Sequence, residues 1–489
     1  MCGFVGMIAG APVAGQVLLA LQSIQHRGQD AAGLGTWNDR RVHLVKGMGM
    51  ISAAVPQAQM PQLAGNAAIG HVRYPTVGAS STAEDAQPFR TRAPGILLAH
   101  NGNVTNMDGL TQWLREMGQV VLSNCDAEPI LLTLTWALLQ RRSAGHTQDD
   151  LVAAVQEVFA RVQGAYSVVA VLEVDGKPTL VAFRDPHGIR PGVYGQRESD
   201  GAWMVASESV ALDMLGVPKS GDLPPGAILM LRPGEPAQTL EAAPPIPRRC
   251  AFERVYFARP DSLMEDGRVI GSRWRMGRQL ALEWRARKLD ADVVVAVPDT
   301  SRPAAQAMAE ELGLPMREGF IKNRYSGRTF IMPDARSRVE TLRLKLNPIR
   351  EMFEGRSVLL VDDSIVRGTT MRRIVKMVKA QGPTAVHVAI FSPAVRNPCF
   401  YGIDMPSRAE LIAAEHDEDA LCDALAESLG AESVTFLSRS GLGEALGPNI
   451  CAACFDGDYP VPVSAAEQAA ILHDRRGDDA ADAAGVVPR

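Results

Sequence analysis

The stretch VLLVDDSIVRGTT (358–370) decides the fold of the second half of the chain. Its apolar strand ends in two carboxylates, and a loop of small residues then opens a helix. The apolar runs DVVVAVP (292–298) and AVHVAIF (385–391) repeat the strand. Helical patterns alternate with these strands, one of them beginning near Pro303. Buried strands that alternate with helices predict a doubly wound parallel sheet, with ligands at the carboxyl ends of its strands.

The helix after this loop is predicted by an apolar stripe. Met371, Ile374, Val375 and Val378 fall on one helical face, and Gly382 suits the end of the helix.

Residues 1 to about 232 have a different pattern. Helical patterns near Val13–Gln25 and Glu128–Arg141 lie among short β-like runs, which are CGFVGMIAG (2–10), AAIGHVRYP (67–75), ILLAHNGNV (96–104), YSVVAVLEV (166–174), TLVAFRD (179–185) and GAWMVAS (201–207). Clustered strands with few helices predict an α+β domain over residues 2–232.

The rest of the chain divides at two places. Residues 233–249 hold closely spaced prolines, which predict a stiff linker without helix or sheet. The α/β domain then covers residues 250–463. Residues 464–489 are rich in Ala and Asp without a sustained pattern, so we expect a disordered tail.

Composition excludes several classes of protein. A length of 489 residues favours two domains, and a formal net charge of -5 argues against nucleic-acid binding. No apolar run approaches the roughly 18 residues that span a bilayer, and the N-terminus lacks a signal-peptide pattern. The seven cysteines are an odd number in a large chain, not a disulfide framework. We therefore expect a cytoplasmic protein without a membrane partner.

The loop at 362–370 has the chemistry of a phosphate and ribose site. Backbone N–H groups at the helix start favour an anion, and further donors come from Ser364, Arg367, Gly368, Thr369 and Thr370. Asp362 and Asp363 would repel phosphate, so vicinal ribose hydroxyls or hydrated Mg²⁺ suit them better. The alternative is an Asp-rich strand end that only caps a helix.

Two other segments extend this site. VPDTSRPAA (297–305) offers donors at another helix start, which suits a second phosphate group and its metal ion. KNRYSGRTFIMP (322–333) clusters Lys322, Arg324 and Arg328 around a glycine. A basic loop is often only solvated surface, but beside a departing anion it predicts a closing lid.

Cys2 is a candidate nucleophile because removal of Met1 would expose its α-amino group, which can act as a base near neutral pH. Alone, Cys2 is better explained as a buried residue at the start of a strand. Polar motifs at the ends of β-runs favour catalysis, since Asn101 and Gly102 can form an oxyanion hole. Arg73 suits an α-carboxylate and Asp126 an α-ammonium group.

These motifs resemble a known family. CGFVG, QHRGQDAAG (25–33), GHVRYPT (70–76) and AHNGN (99–103) are similar to the class II, N-terminal-nucleophile glutamine amidotransferases. Together with YFARPDS (256–262), KNRYSGRTFIMP and VDDSIVRGTT, they resemble the amidophosphoribosyltransferase family, from Cys2 to about Pro460. The resemblance implies a four-layer αββα glutaminase domain followed by a type I phosphoribosyltransferase domain.

The resemblance also implies roles for residues. Cys2 forms a glutamyl thioester, Asn101 and Gly102 stabilise the oxyanion, and Arg73 and Asp126 bind glutamine. Ammonia then displaces pyrophosphate from phosphoribosyl pyrophosphate (PRPP), the first committed step of purine biosynthesis. PRPP is bound by Asp362, Asp363, Ser364, Arg367, Gly368, Thr369, Thr370, Lys322 and Arg328. Mg²⁺ binds at Thr300, Asp362 and Asp363.

Partners follow from the same resemblance. It implies feedback inhibition by purine nucleotides and a homodimer or homotetramer. Relatives often have Ser-Asp-Ser-Glu where this chain has Cys125-Asp126-Ala127-Glu128, a departure that affects only the neighbours of the acid.

Four later cysteines are candidates for a metal centre. Cys451 and Cys454 form a two-ligand clip that Cys250 and Cys399 would complete, and on chemistry alone zinc and an iron–sulfur cluster suit the set equally. One subgroup of the resembled family holds a structural 4Fe–4S cluster on cysteines in these contexts, so the resemblance implies that cluster here.

Two other functions compete with this interpretation. Glucosamine-6-phosphate synthase is a similar amidotransferase, but it needs a sugar-isomerase domain in place of VDDSIVRGTT. A PRPP-sensing regulator or a nucleic-acid binder would lack glutaminase activity. The acidic balance and the set of Cys2, Arg73, Asn101 and Asp126 argue against both of these latter functions.

Overall fold

The fold is described from a computed structural model of the chain. The structure describes residues 2–38, 41–74, 82–142, 144–265, 267–323 and 346–473. Arg324 and Arg328 lie outside the described residues. Within the described part of the chain, no helix combines the length and apolar character that crossing a bilayer requires.

The first half contains two stacked sheets. The seven-stranded first sheet consists of β1 (Gly3–Ile8), β2 (Ala31–Asn38), β3 (Arg41–Met48), β4 (Ala67–Arg73), β9 (Val193–Gln196), β10 (Trp203–Ala206) and β11 (Lys219–Asp222), in the order β11-β9-β10-β1-β4-β2-β3. The six-stranded second sheet consists of β5 (Phe89–Arg92), β6 (Gly95–Val104), β7 (Gly164–Val174), β8 (Lys177–Arg184), β12 (Ala227–Leu231) and β13 (Gln238–Glu241), in the order β13-β12-β8-β7-β6-β5. All pairings in both sheets are antiparallel.

Helices cover the outer faces of both sheets. The helices of this half are α1 (Ala14–Ser23), α2 (Ile51–Ala54), α3 (Met107–Glu116), α4 (Ala127–Arg141), α5 (Gln148–Arg161) and α6 (Val210–Asp213). One apolar core joins α1 to the first sheet, another joins α3, α4 and α5 to the second, and a third lies between the sheets around Phe4, Leu97 and Val169. This arrangement confirms the four-layer αββα domain.

The second half is built on a five-stranded parallel sheet. Its strands are β17 (Val293–Ala296), β18 (Met316–Arg317), β21 (Ser357–Asp362), β22 (Ala385–Ile390) and β23 (Ser433–Phe436), in the order β18-β17-β21-β22-β23. The helices are α7 (Val269–Ala286), α8 (Arg302–Leu312), α9 (Thr369–Lys379), α10 (Glu418–Leu429), α11 (Arg439–Leu446) and α12 (Ala453–Asp456). The parallel sheet is confirmed, and α9 buries Met371, Ile374, Val375 and Val378 as its apolar stripe predicts.

Short pairings complete the second half. They join β14 (Arg249–Cys250) to β24 (Ile450–Cys451), β15 (Leu263–Met264) to β16 (Gly267–Arg268), and β19 (Phe320–Lys322) to β20 (Leu346–Pro348).

The prediction that residues 233–249 form neither helix nor sheet is wrong in part. Strand β13 lies within this segment and pairs antiparallel with β12 at the edge of the second sheet. The prolines flank Gln238–Glu241 without interrupting it, and an edge strand needs ladder hydrogen bonds on one side only.

The disordered tail is also a wrong prediction where the structure describes it. Residues 465–473 are helical, and Ile471 is buried in the core of the second half. The helix begins at a capping box, in which Ser464 Oγ accepts from the Glu467 backbone and Glu467 Oε2 accepts from the Ser464 backbone. Residues 474–489 lie outside the described residues.

Candidate active site

Cys2 lies immediately before β1, in the middle of the first sheet, and is 6% exposed. Its Sγ is 3.5 Å from the Tyr74 carbonyl oxygen, and its own carbonyl accepts from Arg27 Nε at 2.9 Å. Burial raises the pKa of the Cys2 thiol. The thiol therefore needs a base before it can attack.

The predicted oxyanion hole lies on β6. The Asn101 side chain is fully buried, and neither of its polar atoms has a hydrogen-bond partner among the residues that the structure describes. A Cβ at residue 102 would come within 2.0 Å of the Ala165 oxygen, so only glycine fits there. A buried amide without a partner is costly unless a ligand uses it.

Arg73 and Asp126 lie close to Cys2. Arg73 ends β4, and Asp126 caps α4. Burial is the largest influence on the pKa of the Cys2 thiol, and among the smaller ones Arg73 lowers this pKa and Asp126 raises it, so the three groups share one electrostatic environment. Two charges of opposite sign beside a thiol suit the two charged ends of an amino acid.

His100 holds Asp126 as a carboxylate. Asp126 Oδ2 is 3.2 Å from His100 Nε2 and accepts from the Val104 backbone at 3.0 Å. Burial opposes ionisation, but His100 and then Val104 lower the pKa of Asp126 below its ordinary value. His100 lies in the AHNGN motif (99–103), and its sequence context alone does not indicate this role.

The second candidate site lies at the carboxyl edge of the parallel sheet. Ala296 of β17 is in register with Val361 of β21, so the loops that follow both strands meet at one edge. The structure thereby brings the loop of Thr300 to that of Asp362 and Asp363. Thr300 is half-buried, and Lys322 binds the adjacent Asp299 at 2.7 Å.

Asp363 is buried, and the adjacent Asp362 is half-buried. Burial raises the pKa of Asp363 to about 6, and burial together with Asp363 raises the pKa of Asp362 well above its usual range. The raised pKa values indicate that too little positive charge lies near these two acids to stabilise both as carboxylates. A cation or hydroxyl donors would satisfy them.

The loop after them follows the predicted phosphate cradle. Gly368 has φ 72° before α9, and Thr369 and Thr370 lie exposed in the first turn. Ser364 donates to Asp363, and Arg367 pairs with Glu410 at 3.0 Å. Ser364 and Arg367 therefore have protein partners that a phosphate would have to replace.

The four cysteines that are candidates for a metal centre lie near one another in the second half of the chain. Cys250 and Cys451 are in register in β14 and β24, and after burial Cys399, Cys250 and Cys451 raise the pKa of Cys454. Among the described Cys, His, Asp and Glu side chains, no group of three or more has the arrangement of a metal site. The thiols are thus neighbours whose sulfur atoms would have to move closer to share a ligand.

Backbone and side-chain contacts join the two halves near both sites. Asn103 Nδ2 donates to the Phe400 carbonyl at 2.9 Å, and Tyr74 Oη donates to Asp404 at 3.1 Å. Arg259 donates its backbone N–H to Glu208 at 3.0 Å, in the segment that the sequence suggested for the junction.

Both halves match described families. Residues 73–214 match the glutamine amidotransferase domain, and residues 278–398 match the phosphoribosyl transferase domain. An amidophosphoribosyltransferase of Pseudomonas aeruginosa is 43% identical over 472 residues, or 94% of this chain and 93% of the relative. One of Methanothermobacter thermautotrophicus is 38% identical over 470 residues, or 94% and 95%.

Solved structures agree in fold and extent. The glutamine PRPP amidotransferase from B. subtilis complexed with ADP and GMP has a TM-score of 0.83 and 35% identity, covering 95% of this chain and 98% of that chain. A structure described as the allosteric regulatory enzyme of purine biosynthesis has a TM-score of 0.83 and 34% identity, covering 95% and 97%.

Proposed function

The chain belongs to the amidophosphoribosyltransferase family, and from that premise we propose how its own residues perform the reaction. The enzyme transfers the amide nitrogen of glutamine to PRPP, giving 5-phosphoribosylamine, glutamate and pyrophosphate in purine biosynthesis. One observation carries this function: a single chain holds the group of Cys2, Arg73 and Asp126 and the acidic strand end at Asp362 and Asp363.

In the glutaminase half, the α-amino group of Cys2 takes the thiol proton, and Sγ attacks the amide carbon of glutamine. The amide of Asn101 and the N–H of Gly102 stabilise the oxyanion that forms. Arg73 binds the α-carboxylate of glutamine, and Asp126 binds its α-ammonium group. The proton returns to the leaving nitrogen, and water then hydrolyses the thioester.

In the acceptor half, Asp362 and Asp363 accept from the ribose hydroxyls of PRPP. The loop with Ser364, Arg367, Gly368, Thr369 and Thr370 binds the 5′-phosphate at the start of α9. Lys322 binds the pyrophosphate, a role that the sequence also predicts for Arg328, which lies outside the described residues. Ammonia attacks C1, and pyrophosphate leaves with the bonding electron pair.

Mg²⁺ is the metal proposed for this half. Its ligands would be Thr300, Asp362 and Asp363, whose oxygens and unmet negative charge suit a hard cation. Bound there, Mg²⁺ would neutralise the charge that develops on pyrophosphate.

A structural 4Fe–4S cluster is proposed on Cys250, Cys399, Cys451 and Cys454. The proposal rests on four buried thiols, two of which, Cys250 and Cys451, are in register on paired strands. To share one cluster, the four sulfur atoms would have to move closer together than they lie in the described residues. Iron analysis and absorbance of anaerobically purified protein test this; colourless, active protein that carries zinc would contradict it.

Regulation and setting are proposed as well. Purine nucleotides inhibit near the PRPP site, as the ADP and GMP complex of the B. subtilis relative suggests. The enzyme assembles as a homodimer or homotetramer in the cytoplasm, where a reducing environment keeps its cysteines out of disulfides.

Cys2→Ser is the deciding experiment. We expect it to abolish glutamine-dependent synthesis of phosphoribosylamine while ammonia-dependent synthesis continues, because only the first reaction needs the thiol. Assays of both reactions on one preparation measure this. Equal loss of the two reactions would mean that the thiol is structural.

A further inference from the structure

A fully buried arginine touches the backbone of the nucleophile. Arg27 ends a short 3-10 turn, is 0% exposed and donates from Nε to the Cys2 carbonyl at 2.9 Å. Its stem packs under the next residue, since a Cβ on Gly3 would lie 3.0 Å from Arg27 Cβ and Cδ. The position of Arg27 therefore constrains where the first residues of β1 lie.

The outer nitrogens of the same guanidinium bind two buried carboxylates. Glu208, in the first half, pairs with Nη1, and Glu253, beyond the linker, pairs with Nη2 at 2.7 Å and Nη1 at 3.2 Å. The Phe257 ring lies 4.7 Å from the guanidinium carbon. Charges buried in this way persist only with close partners, so each group depends on the others for its place.

The second half holds this cluster through one short segment. Glu253 begins a π-helical turn (Glu253–Phe257), and Arg190 approaches its Oε1 at 3.5 Å. Glu208 accepts from the Arg259 backbone at 3.0 Å and from Ser262 Oγ at 2.5 Å. Residues 253–262 therefore supply one of the carboxylates that orient Arg27 and bind the other.

The same segment is connected to the acceptor site. Arg273 of α7 is 1% exposed and donates to the carbonyls of Arg254, Tyr256 and Ala258 at 3.0, 3.2 and 2.8 Å. Burial lowers the pKa of Arg273 to about 10, while Asp363 and then Glu208 act to raise it. Arg273 thus ties the segment to α7, and α7 shares one apolar core with Leu359 and Val361 of β21, the strand that ends at Asp362.

We infer that Arg27 is a positioning residue for Cys2, and that Glu253 of the second half sets where Arg27 lies. Through this pair, a displacement of residues 253–262 reaches the nucleophile without passing through the glutamine pocket. The inference rests on the proposed role of Cys2 and adds to it a structural route from the acceptor half.

Positioning of Cys2 and binding of glutamine should affect different kinetic constants. Glutamine is bound by Arg73 and Asp126, so its KM should depend little on Arg27. The attack of Sγ depends on the position of Cys2, and a small misplacement of a reacting group can cost about 100-fold in rate. A loss confined to kcat would therefore separate positioning from substrate binding.

The test uses Arg27→Lys and Glu253→Gln in the full chain. Lysine keeps the charge of Arg27 but has no fork to reach three partners, and glutamine keeps the shape of Glu253 without its charge. For both variants we expect glutamine-dependent kcat to fall about tenfold or more, with KM for glutamine within about twofold. Alkylation of Cys2 by a glutamine-mimicking diazoketone should slow in parallel, and ammonia-dependent synthesis should stay within about twofold.

Arg232→Lys is the matched control. Arg232 is half-buried, donates to the Val174 carbonyl at 3.0 Å and to Thr179 Oγ1 at 2.9 Å, and pairs with Asp175 at 3.2 Å, and none of these partners is Cys2 or a residue of 253–262. If Arg232→Lys reproduces the kcat loss and the slower alkylation at an equal fall in Tm, the inference is overturned. Equal loss of the ammonia-dependent reaction in Arg27→Lys and Glu253→Gln would overturn it too.

If Arg27→Lys does not fold, Glu253→Gln and Ser262→Ala decide by the same readouts. Because Cys2→Ser tests the thiol separately, the two hypotheses can fail independently.

Discussion

Asn101 is a buried amide that the free protein leaves without a hydrogen-bond partner among the described residues. Such a group costs stability, on the order of 1–3 kcal/mol, which a catalytic role would explain. Its neighbour Gly102 is constrained by the close approach of β7, so the N–H beside the amide has a fixed place. Both donors are held before substrate arrives, as stabilisation of a transition state requires.

Asn101→Ala should therefore lower glutamine-dependent kcat by about 10²–10³-fold and leave ammonia-dependent synthesis intact. The variant should also be no less stable than the native chain, because it removes an unsatisfied buried group. Steady-state kinetics with glutamine and with ammonia, together with Tm, measure both effects. Asn106→Ala removes an amide that donates to Arg161 instead, and should lower Tm without changing the reaction. Unchanged glutaminase activity in Asn101→Ala would place the oxyanion elsewhere.

The burial of Asp363 should make the stability of the folded chain depend on pH. Burial raises its pKa from 3.8 to about 6, so between these pH values the folded chain holds a proton that the unfolded chain has released. Stability due to this group is then present below pH 4 and is lost as pH rises through 6. Asp363→Asn removes the penalty and should stabilise the ligand-free protein at pH 8 by about 2 kcal/mol, while abolishing PRPP-dependent synthesis.

Chemical denaturation of both proteins at pH 4 and pH 8 measures this effect, which should vanish at the lower pH. Asp200→Asn is the control, because the hydrogen bond from Arg197 lowers the pKa of Asp200 and its loss should destabilise slightly. A variant Asp363→Asn no more stable than the native chain at pH 8 would contradict the burial argument.

The start of α9 depends on the backbone of one residue. Gly368 has φ 72°, and a Cβ there would lie 2.4 Å from Ile412 Cδ1. The backbone conformation disfavours any other residue, and a methyl group there would also displace the end of the Ile412 side chain. The proposed phosphate cradle therefore depends on glycine at this position.

Gly368→Ala should raise KM for PRPP at least about tenfold and destabilise the chain by about 1–3 kcal/mol. Gly382→Ala, just beyond the other end of α9, is the matched control. Its φ of 84° carries a similar backbone penalty, but the nearest atom to its Cβ is Glu354 Cγ at 3.9 Å. It should lower Tm modestly and leave KM for PRPP unchanged. An equal KM in both variants would show that the loop tolerates the methyl group.

The elements that the sequence predicted well are those with strong local signals. Uninterrupted apolar runs mark β17, β21 and β22, and the apolar stripe of α9 matches its buried face. The sequence does not predict strand β13, because prolines flank its four residues and those residues have no β-pattern of their own. Their pairing is set by β12. The sequence does not predict the helix at 465–473 either, because its capping box is a short motif at the start of a segment that is rich in Ala and Asp.

Within the site, motifs point to the groups proposed to bind substrate but not to those that hold them. Cys2, Arg73 and Asp126 stand at strand or helix ends and Asn101 lies in β6, each in a motif that can be interpreted locally. Glu208 and Glu253 gave no such signal, since each acts through Arg27 across more than 180 residues of chain. The contact with Glu208 arises from packing within the first half and the contact with Glu253 from packing of the two halves, and no local pattern encodes either.

The contacts between the two halves also join the cysteine set to the oxyanion strand. Cys399 immediately precedes Phe400, whose carbonyl accepts from Asn103 at 2.9 Å. A Cβ on Gly402 would lie 3.0 Å from the Gly102 oxygen. The segment that carries one proposed ligand therefore packs directly on the strand that carries Asn101 and Gly102.

Cys399→Ala should consequently weaken both stability and glutamine chemistry. A bound metal centre adds its binding free energy to folding, so losing a ligand should cost clearly more than the about 1–2 kcal/mol expected for a small buried side chain. Glutamine-dependent kcat should fall as residues 399–402 lose their anchor, while iron content drops in proportion. Tm, iron per chain and the two synthesis assays measure this. Cys422→Ala, half-buried on α10, should alter none of them beyond a small change in Tm. If Cys399→Ala keeps its iron and its glutamine activity, then Cys399 is a packing residue and the cysteine set does not support β6.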